Sequence, residues 1–349
     1  MIATRSSFLA VSLAGSLAGS LAGSVALVLP GAAFAQSGQI FVPTTGPISG
    51  TTEEPAARLP QPDTTMVLGA TRAGDRLVGV GDRGLVLLSD DDGASWRQAK
   101  AVPTRATLTA VDFVDASHGW AVGHWGVILA TKDGGENWTL QRDDLTVDQP
   151  LFSVWFRDGS NGVAVGLFSL MLVTHDAGAT WTKGSLPAGA SGPNGAAQKI
   201  DTNLFCLFSG QKGSVWIAGE QGMVYRSEDS GATWKAHPTG SKGTLWAGTV
   251  LHDGTVIVAG LRGKVLRSQD EGKTWKLADS GTTSSITTLA ELPGGRVIAT
   301  ALEGVSLTSD DGGRTFHVDT RVDPVPLTTV SWHKDGTPIY FSTGGVVSR

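Results

Sequence analysis

The sequence has little of what most covalently stabilised or charge-driven proteins are built from. Its 349 residues contain a single cysteine, Cys206, which excludes an intramolecular disulfide. The run Leu204-Phe205-Cys206-Leu207-Phe208 predicts a buried, inert thiol, because free cysteine packs as a small hydrophobe. Charged residues make up 17 % of the chain, below the roughly 25 % usual in soluble domains. The formal net charge of −5 argues against a nucleic-acid partner, which needs a basic face.

Helical periodicity and the signatures of common active sites are also missing. No segment shows a helical apolar period of useful length, which excludes parallel sheets with helical crossovers. The seven histidines are scattered and have no second histidine, cysteine or carboxylate at metal-ligand spacing. Nothing resembles a Ser-His-Asp arrangement on a strained nucleophile turn. We therefore expect no catalytic residue, no cofactor and no metal site.

The first residues predict a secretory signal peptide over residues 1–35. Arg5 precedes a small and apolar run from Phe8 to Pro30, and Ala33-Phe34-Ala35 supplies a cleavage site. A mature chain starting at Gln36 is expected, with an uncleaved anchor as the alternative. No later segment is apolar enough to span a membrane. These features predict an exported protein of the periplasm, or of the thylakoid lumen in a photosynthetic organism, with membrane association left open.

What the sequence has in quantity is glycine, with 47 residues, and an internal repeat. The pattern Ser/Thr-x-Asp-x-Gly-x-x-Trp, an Asp-box, recurs six times, with Phe replacing Trp in the last copy. The final aromatic residues are Trp96, Trp138, Trp181, Trp234, Trp275 and Phe316. Their spacing is that of propeller blades, which repeat every 40–45 residues or so.

Each repeat also contains a Gly-x-x-Gly element and four short apolar strands, as in Leu108–Phe113, Trp120–Gly123, Val127–Ala130 and Trp138–Gln141. After six repeats, the segment from Leu327 to Val347 matches three strands of a seventh. An open ring would leave unpaired sheet edges. We therefore predict an all-β, seven-bladed β-propeller with Asp-box (BNR-like) repeats over residues 64–349. Its last blade is closed by both termini, with Gln39–Val42, or a stretch just after it, in the N-terminal segment 36–63 as the missing strand.

The Asp-box itself is predicted to be structural. Its carboxylate can accept hydrogen bonds from the backbone of its own turn, its glycine permits a positive φ, and its aromatic ring packs between sheets. Six similar copies favour a device of the fold, whereas a catalytic centre needs differentiated residues. The aspartates are Asp91, Asp133, Asp176, Asp229, Asp270 and Asp311. The Gly-x-x-Gly elements are read as two-residue hairpin turns, since no helix follows them.

Strand alternation separates two faces of the ring. The box face carries the Asp-box turns, and the glycine-turn face carries the Gly-x-x-Gly turns and the blade-to-blade connections. One connection, Gly184–Asn203, is unusually long, and long insertions in rigid scaffolds are often functional. We expect the glycine-turn face to bind a partner, with Trp125 and Phe168 as an aromatic anchor. The candidate residues are Arg83, His124, Trp125, Phe168, Lys199, Gln221 and Arg262.

The repeated string Gly-x-x-Gly-x-φ-φ-x-Ser/Thr-x-Asp-x-Gly-x-Thr-Trp resembles the Ycf48/HCF136 family of photosystem II assembly factors over about residues 60–349. The resemblance implies a non-enzymatic, monomeric propeller that helps assemble or stabilise a membrane protein complex. That complex is photosystem II in photosynthetic organisms and another one elsewhere. Photosynthetic members carry an arginine-rich patch, and the corresponding stretch here, 196–199, has none. Arg226, Arg262 and Arg267 in the next two blades could form a weaker patch.

Two other functions remain open at this point. A sialidase-like glycosidase would need a tyrosine nucleophile and three arginines. The chain has two tyrosines, and Tyr225 occupies a repeat position held by leucine elsewhere, which predicts a core residue. A carbohydrate-binding module that uses the same face without turnover is the second alternative.

Overall fold

A computed structural model describes residues 53–187, 202–210 and 213–347. The predicted signal peptide, the strand predicted at Gln39–Val42, and Lys199 lie outside these residues. The described chain forms seven antiparallel sheets, six of four strands and one of three. The predicted seven-bladed all-β fold is confirmed.

Each sheet is one blade, and its strands follow chain order from the centre of the ring outwards. The innermost strands are β1 (Val67–Ala73), β5 (Leu108–Phe113), β9 (Leu151–Phe156), β13 (Leu204–Ser209), β17 (Leu245–Val250), β21 (Ile286–Glu291) and β25 (Leu327–Trp332). The second strands are β2 (Arg76–Gly81), β6 (Gly119–Gly123), β10 (Gly162–Gly166), β14 (Val215–Gly219), β18 (Val256–Gly260), β22 (Val297–Ala301) and β26 (Pro338–Ser342).

The third strands are β3 (Val86–Ser89), β7 (Ile128–Thr131), β11 (Met171–Thr174), β15 (Val224–Ser227), β19 (Val265–Ser268), β23 (Val305–Ser309) and β27 (Gly345–Val346). The outer strands are β4 (Arg97–Gln98), β8 (Trp138–Arg142), β12 (Thr182–Lys183), β16 (Lys235–Ala236), β20 (Lys276–Ala278) and β24 (His317–Thr320).

The core lies between the blades. Every innermost strand packs against the innermost strand of the next blade, and β25 packs against β1, which closes the ring. Buried side chains form one cluster at each of the seven interfaces of the described chain. The second strands read as continuous apolar runs because neighbouring blades cover both of their faces. All five residues of β6, for example, are buried.

The seventh blade differs from the others. Its three strands come from the C-terminal segment, and no fourth strand is present among the described residues. Beside β27 lies a cavity of about 620 Å³ lined in part by Trp96, Ile339 and Val346. A single 3-10 turn, Pro62–Thr64, lies against β27 before the chain enters β1. The closing strand predicted at Gln39–Val42 stays a prediction.

The described part of the N-terminal segment is held on the outside of the first blade. Ala56 N–H donates to the Val102 carbonyl at 3.0 Å, and Leu59 N–H donates to Gln98 Oε1 at 2.9 Å. Leu59 also packs against the cluster between the seventh and first blades. The segment therefore spans from the outer strand of one blade to the third strand of its neighbour.

Candidate functional site

Each Asp-box closes its own turn between the third and outer strands. In the third blade, Thr180 N–H donates to Asp176 Oδ1 at 2.8 Å, and Thr180 Oγ1 donates to Asp176 Oδ2 at 2.6 Å. Thr174 Oγ1 adds a 2.8 Å hydrogen bond to Asp176 Oδ1. These bonds, led by the Thr180 hydroxyl, lower the pKa of Asp176 to about 2. Both carboxylate oxygens are therefore engaged within the turn.

The other five boxes repeat this geometry. The backbone N–H four residues after the aspartate donates to its carboxylate in every copy, at 2.8 to 3.1 Å. The aspartates are Asp91, Asp133, Asp229, Asp270 and Asp311. The glycine three residues before the aromatic has a positive φ throughout, as at Gly135 with φ 87°. The ring of Trp138 meets Phe113 edge to face at 6.1 Å and is 4 % exposed.

The Gly-x-x-Gly turns of the opposite face share a second repeated geometry. The residue after the first glycine donates its N–H to the carbonyl that precedes the innermost strand of its own blade. The donors are Asp82, His124, Leu167, Glu220, Leu261, Leu302 and, in the seventh blade, Thr343. At Gly123 a Cβ would lie 2.1 Å from the Thr107 carbonyl oxygen, so this close approach requires glycine. The turn is therefore tied to the inner rim of the ring.

The next residue in each turn adopts a left-handed conformation. φ lies between 52° and 58° at Arg83, Trp125, Phe168, Gln221 and Arg262. With the following residue, also at positive φ, each forms the centre of a type I′ turn. The sequence placed the two-residue turn one position earlier, on both variable residues. In the structure, the first variable residue makes the hydrogen bond to the inner rim, and the second occupies the first central position of the turn.

His124 and Trp125 are held by the next connection. Asp148 Oδ2 lies 3.0 Å from His124 Nδ1, and Trp125 N–H donates to Asp148 Oδ1 at 2.7 Å. Burial opposes ionisation of Asp148, but these hydrogen bonds outweigh it and keep its pKa below the ordinary value. Trp125 was expected to be exposed, but it is half-buried because it packs against the cluster between the first two blades.

Phe168 is the most exposed aromatic anchor of this face, with 60 % of its surface accessible. Its N–H donates to Asn203 Oδ1 at 2.9 Å, so the long connection ends directly against this turn. Val147, 52 % exposed, lies in the connection before the third blade. Two exposed apolar side chains therefore lie in this region, one in the glycine turn of the third blade and one in the connection that leads into it.

The other candidate residues divide between the faces. Arg83, Gln221 and Arg262 are exposed on the glycine-turn face. The prediction that Arg226, Arg262 and Arg267 form a weaker patch is wrong, because Arg226 and Arg267 are engaged in other contacts. Arg226 pairs with Glu228 and Glu271 at 3.1 Å, and Arg267, 7 % exposed, donates to the Gly312 carbonyl of a box turn.

The sequence did not reveal a row of residues at the mouth of the central channel. Each innermost strand has a β-bulge at its second residue, which leaves that residue unpaired. These residues are partly exposed on the strands that surround the axis. They are Leu68, Thr109, Phe152, Phe205, Trp246, Thr287 and Thr328. A bulge has no signature in a short apolar run, so only the structure shows this row.

Other groups with chemical potential are buried or half-buried. Tyr225 is 2 % exposed in the cluster between the third and fourth blades, and burial raises its pKa. Cys206, predicted to be buried, is a half-buried residue beside the cluster between the fourth and fifth blades, and desolvation raises the pKa of its thiol to about 11. In the described ranges, no group of three or more His, Cys, Asp or Glu side chains could hold a metal ion. A search of the same residues finds no helix with the length and apolarity needed to cross a membrane.

Comparisons with known proteins agree with this architecture. Residues 88–247 match the sequence profile of the family described as photosynthesis system II assembly factor YCF48. A 48-residue stretch is 48 % identical to the chloroplastic photosystem II stability/assembly factor HCF136 of Cyanidioschyzon merolae. That stretch covers 13 % of this chain and 11 % of the relative, so the chain matches only a small part of that protein's length.

Two solved structures share the fold. One, described as YCF48 bound to D1 peptide, superposes with a TM-score of 0.65 at 19 % identity and covers 84 % of this chain and 94 % of its own. A streptogramin B lyase structure reaches a TM-score of 0.67 at 13 % identity, covering 83 % and 94 %. At these identities the structures establish the fold alone. Together with the profile match over residues 88–247 and the recurring box and glycine turns, they show that this chain is similar to the YCF48 proteins in its repeats and in its propeller fold.

Proposed function

We propose that this propeller is a non-enzymatic, monomeric scaffold that binds a segment of a membrane protein on the exported side of the membrane. It thereby helps to assemble or stabilise a membrane complex. The complex is photosystem II in a photosynthetic organism and another complex elsewhere. The D1 peptide named with a Ycf48 structure of the same fold supports this class of partner.

The observation that carries the proposal is the contrast between the two faces. On the box face the same residues recur and their polar atoms are used within each turn. On the glycine-turn face the backbone recurs but the presented side chain differs from blade to blade, from Arg83 to Phe168 to Gln221. A repeated backbone with differentiated side chains is the arrangement that recognition requires, because specificity comes from a few distinct anchors on a rigid frame.

The left-handed conformation sharpens this argument. An L-residue other than glycine, asparagine or aspartate pays about 1–2 kcal/mol to occupy it. Glycine would avoid that cost at position 168, where Phe168 is largely exposed and stabilises little by burial. A costly, exposed aromatic side chain is expected where a partner covers it.

Capture from native membranes tests the proposal. Tagged protein should co-purify with membrane proteins, and Phe168→Gly should reduce the captured amount several-fold while the melting temperature stays the same or rises. Leu140→Gly, at another exposed apolar side chain on an outer strand, serves as the matched surface control. Undiminished capture by Phe168→Gly would count against the glycine-turn face as the binding surface, and absence of capture by the unaltered protein would refute the function.

A further inference from the structure

Six of the seven bulged residues at the channel mouth are of two chemical kinds. In the second, sixth and seventh blades the bulged residue is threonine, and in the third, fourth and fifth blades it is aromatic. Phe152 and Phe205 stack with ring centroids 5.4 Å apart. Trp246 follows in the next blade, and none of the three rings belongs to a core cluster between blades. Three half-buried rings thus occupy the same bulge position in three consecutive blades around the channel mouth, and we call this set the aromatic wall.

The threonines show which contact the fold makes at this position. Thr109 Oγ1 donates to the Leu151 carbonyl at 2.6 Å, and Thr287 Oγ1 donates to the Leu327 carbonyl at 2.9 Å. Thr328 Oγ1 makes the same bond to Val67. Each threonine therefore ties its blade to the first residue of the next innermost strand. The aromatic blades give up this bond and place a large apolar ring partly in solvent, which the fold does not require.

Three basic side chains lie at the glycine-turn end of the fifth blade, the blade that carries Trp246. The Arg262 turn is pinned to the residue two before Trp246 by a 3.0 Å bond from Leu261 N–H to the Thr244 carbonyl. Lys264 Nζ donates to Ser241 Oγ at 3.0 Å, and Lys242 is the next residue in the chain. None of these three cations forms an ion pair within 4.0 Å in the described part of the chain, although Asp279 lines a cavity together with Arg262 and Lys264. The glycine-turn end of the fifth blade thus carries an aromatic ring and three cations against one nearby carboxylate.

We propose that the aromatic wall is a recognition pocket for an extended acidic peptide segment. One aromatic or aliphatic side chain of the segment enters the channel mouth against Phe152, Phe205 and Trp246. Flanking carboxylates pair with Lys242, Arg262 and Lys264. The inference rests on the proposed function and specifies the chemistry of its partner.

The geometry favours an extended segment because one blade carries two separate apolar side chains, one on its glycine turn and one on its innermost strand. Phe168 stands at the glycine turn of the third blade, and Phe152 stands on the innermost strand of the same blade. A chain that crosses this blade can cover both. Charge complementarity selects acidic flanks, since carboxylates near guanidinium and ammonium groups steer association and fix register.

Fluorescence anisotropy with three labelled synthetic decapeptides tests the pocket. The first has one phenylalanine flanked on each side by two aspartates in a Gly-Ser background. The second replaces the phenylalanine by serine, and the third replaces the aspartates by lysines. We expect the first peptide to bind at least about tenfold more tightly than either of the others, because anchor side chains dominate such interfaces.

The decisive variant is Phe205→Thr combined with Trp246→Thr. It copies the threonine of the other blades, so the fold and melting temperature should be retained while binding of the first peptide falls at least about tenfold. Leu140→Thr is the matched control, because Leu140 is exposed on the outer strand of the second blade. The proposed pocket would be refuted if the three peptides bound equally or if the first did not bind. It would also be refuted if the double variant bound the first peptide as tightly as the unaltered protein.

The two proposals fail separately. If Phe168→Gly abolishes membrane capture while the double threonine variant captures normally, the scaffold function stands and the pocket is refuted. If the unaltered protein captures nothing from membranes, the scaffold function is refuted, and the peptide series still decides whether the aromatic wall recognises acidic apolar segments.

Discussion

At the scale of single residues, the molecule uses aspartate in two opposite ways. In the Asp-boxes the carboxylate is surrounded by donors and its pKa is lowered, as at Asp270, where it falls to about 2. At Asp112, on β5, the carboxylate is enclosed by protein and accepts a 2.8 Å bond from Phe156 N–H. Burial there raises its pKa to about 7. The first kind of aspartate stabilises the fold, and the second is a cost at neutral pH.

The sequence pattern predicted the role of the boxes because serine or threonine, aspartate and glycine occur at fixed offsets within one turn, where local chemistry decides. It gave no sign of Asp112, since the burial of that carboxylate depends on the neighbouring blade. The aromatic wall was not indicated by the sequence either, because the bulges that leave Phe152, Phe205 and Trp246 unpaired have no signature in a short apolar run.

Replacing a box aspartate tests its structural role. Asp176→Ala removes the acceptor for the Thr180 N–H and hydroxyl, so we expect the melting temperature to fall by a few degrees. Because the folded pKa lies below the unfolded one, this stabilisation is present above about pH 4 and is lost as the pH falls towards 2. Thermal melts at pH 7 and pH 2.5 measure both effects. Asp319→Ala, at an exposed carboxylate, is the control; an equal effect of the two substitutions would contradict the assignment.

Asp112 gives the opposite pH dependence. Its folded pKa lies above the unfolded value, so the stability linked to its protonation is complete below about pH 4 and lost as the pH rises through 7. Asp112→Asn keeps an acceptor for Phe156 N–H without the charge. We expect this variant to melt at a higher temperature than the unaltered protein at pH 8 and to lose that advantage at pH 4.5. A constant difference between the two pH values would show that Asp112 is ordinarily ionised.

At the scale of the structural element, the Gly-x-x-Gly hairpin is the unit that turns sequence variation into surface variation. Its backbone is fixed by the first glycine and by the bond to the inner rim. One residue remains free to differ, in a conformation that favours glycine. The sequence predicted the hairpin and its face, but it placed the turn one residue too early. The first variable residue donates its N–H to a carbonyl that precedes the innermost strand, and this acceptor is distant in the chain.

Phe168 allows the cost of this conformation to be measured. Phe168→Gly should be more stable than Phe168→Ala by about 1 kcal/mol, because only glycine adopts the left-handed region without a Cβ clash. Chemical denaturation of the two variants gives the difference. A Gly variant less stable than the Ala variant would show that the turn relaxes when the phenyl ring is removed.

The seventh blade is the second element that can be tested. Its third strand, β27, has no outer neighbour in the described chain, although the six preceding blades each have one. Deleting residues 36–52 should therefore lower the melting temperature if the predicted strand at Gln39–Val42 fills that edge. An unchanged melting temperature would mean that the described residues alone complete the ring.

At the scale of the whole molecule, sequence periodicity was sufficient for the fold. Six boxes and seven strand groups dictate a ring whose core lies between blades, and the seven buried clusters follow. The exposure of single residues on the glycine-turn face was not predictable, because the repeat shows which positions vary but not which neighbours leave them exposed. Trp125 packs inwards, whereas Phe168 projects outwards.

The claim on which the account depends is that recognition takes place on the glycine-turn face and that the box face serves the fold. Site-specific photo-crosslinking measures this most directly. A photo-reactive amino acid is placed at Phe168 in one protein and at Ser230, in a box turn, in another, and both are irradiated in native membranes. We predict a discrete crosslink to a membrane protein from position 168 and none from position 230. Crosslinks from position 230 alone would contradict the account.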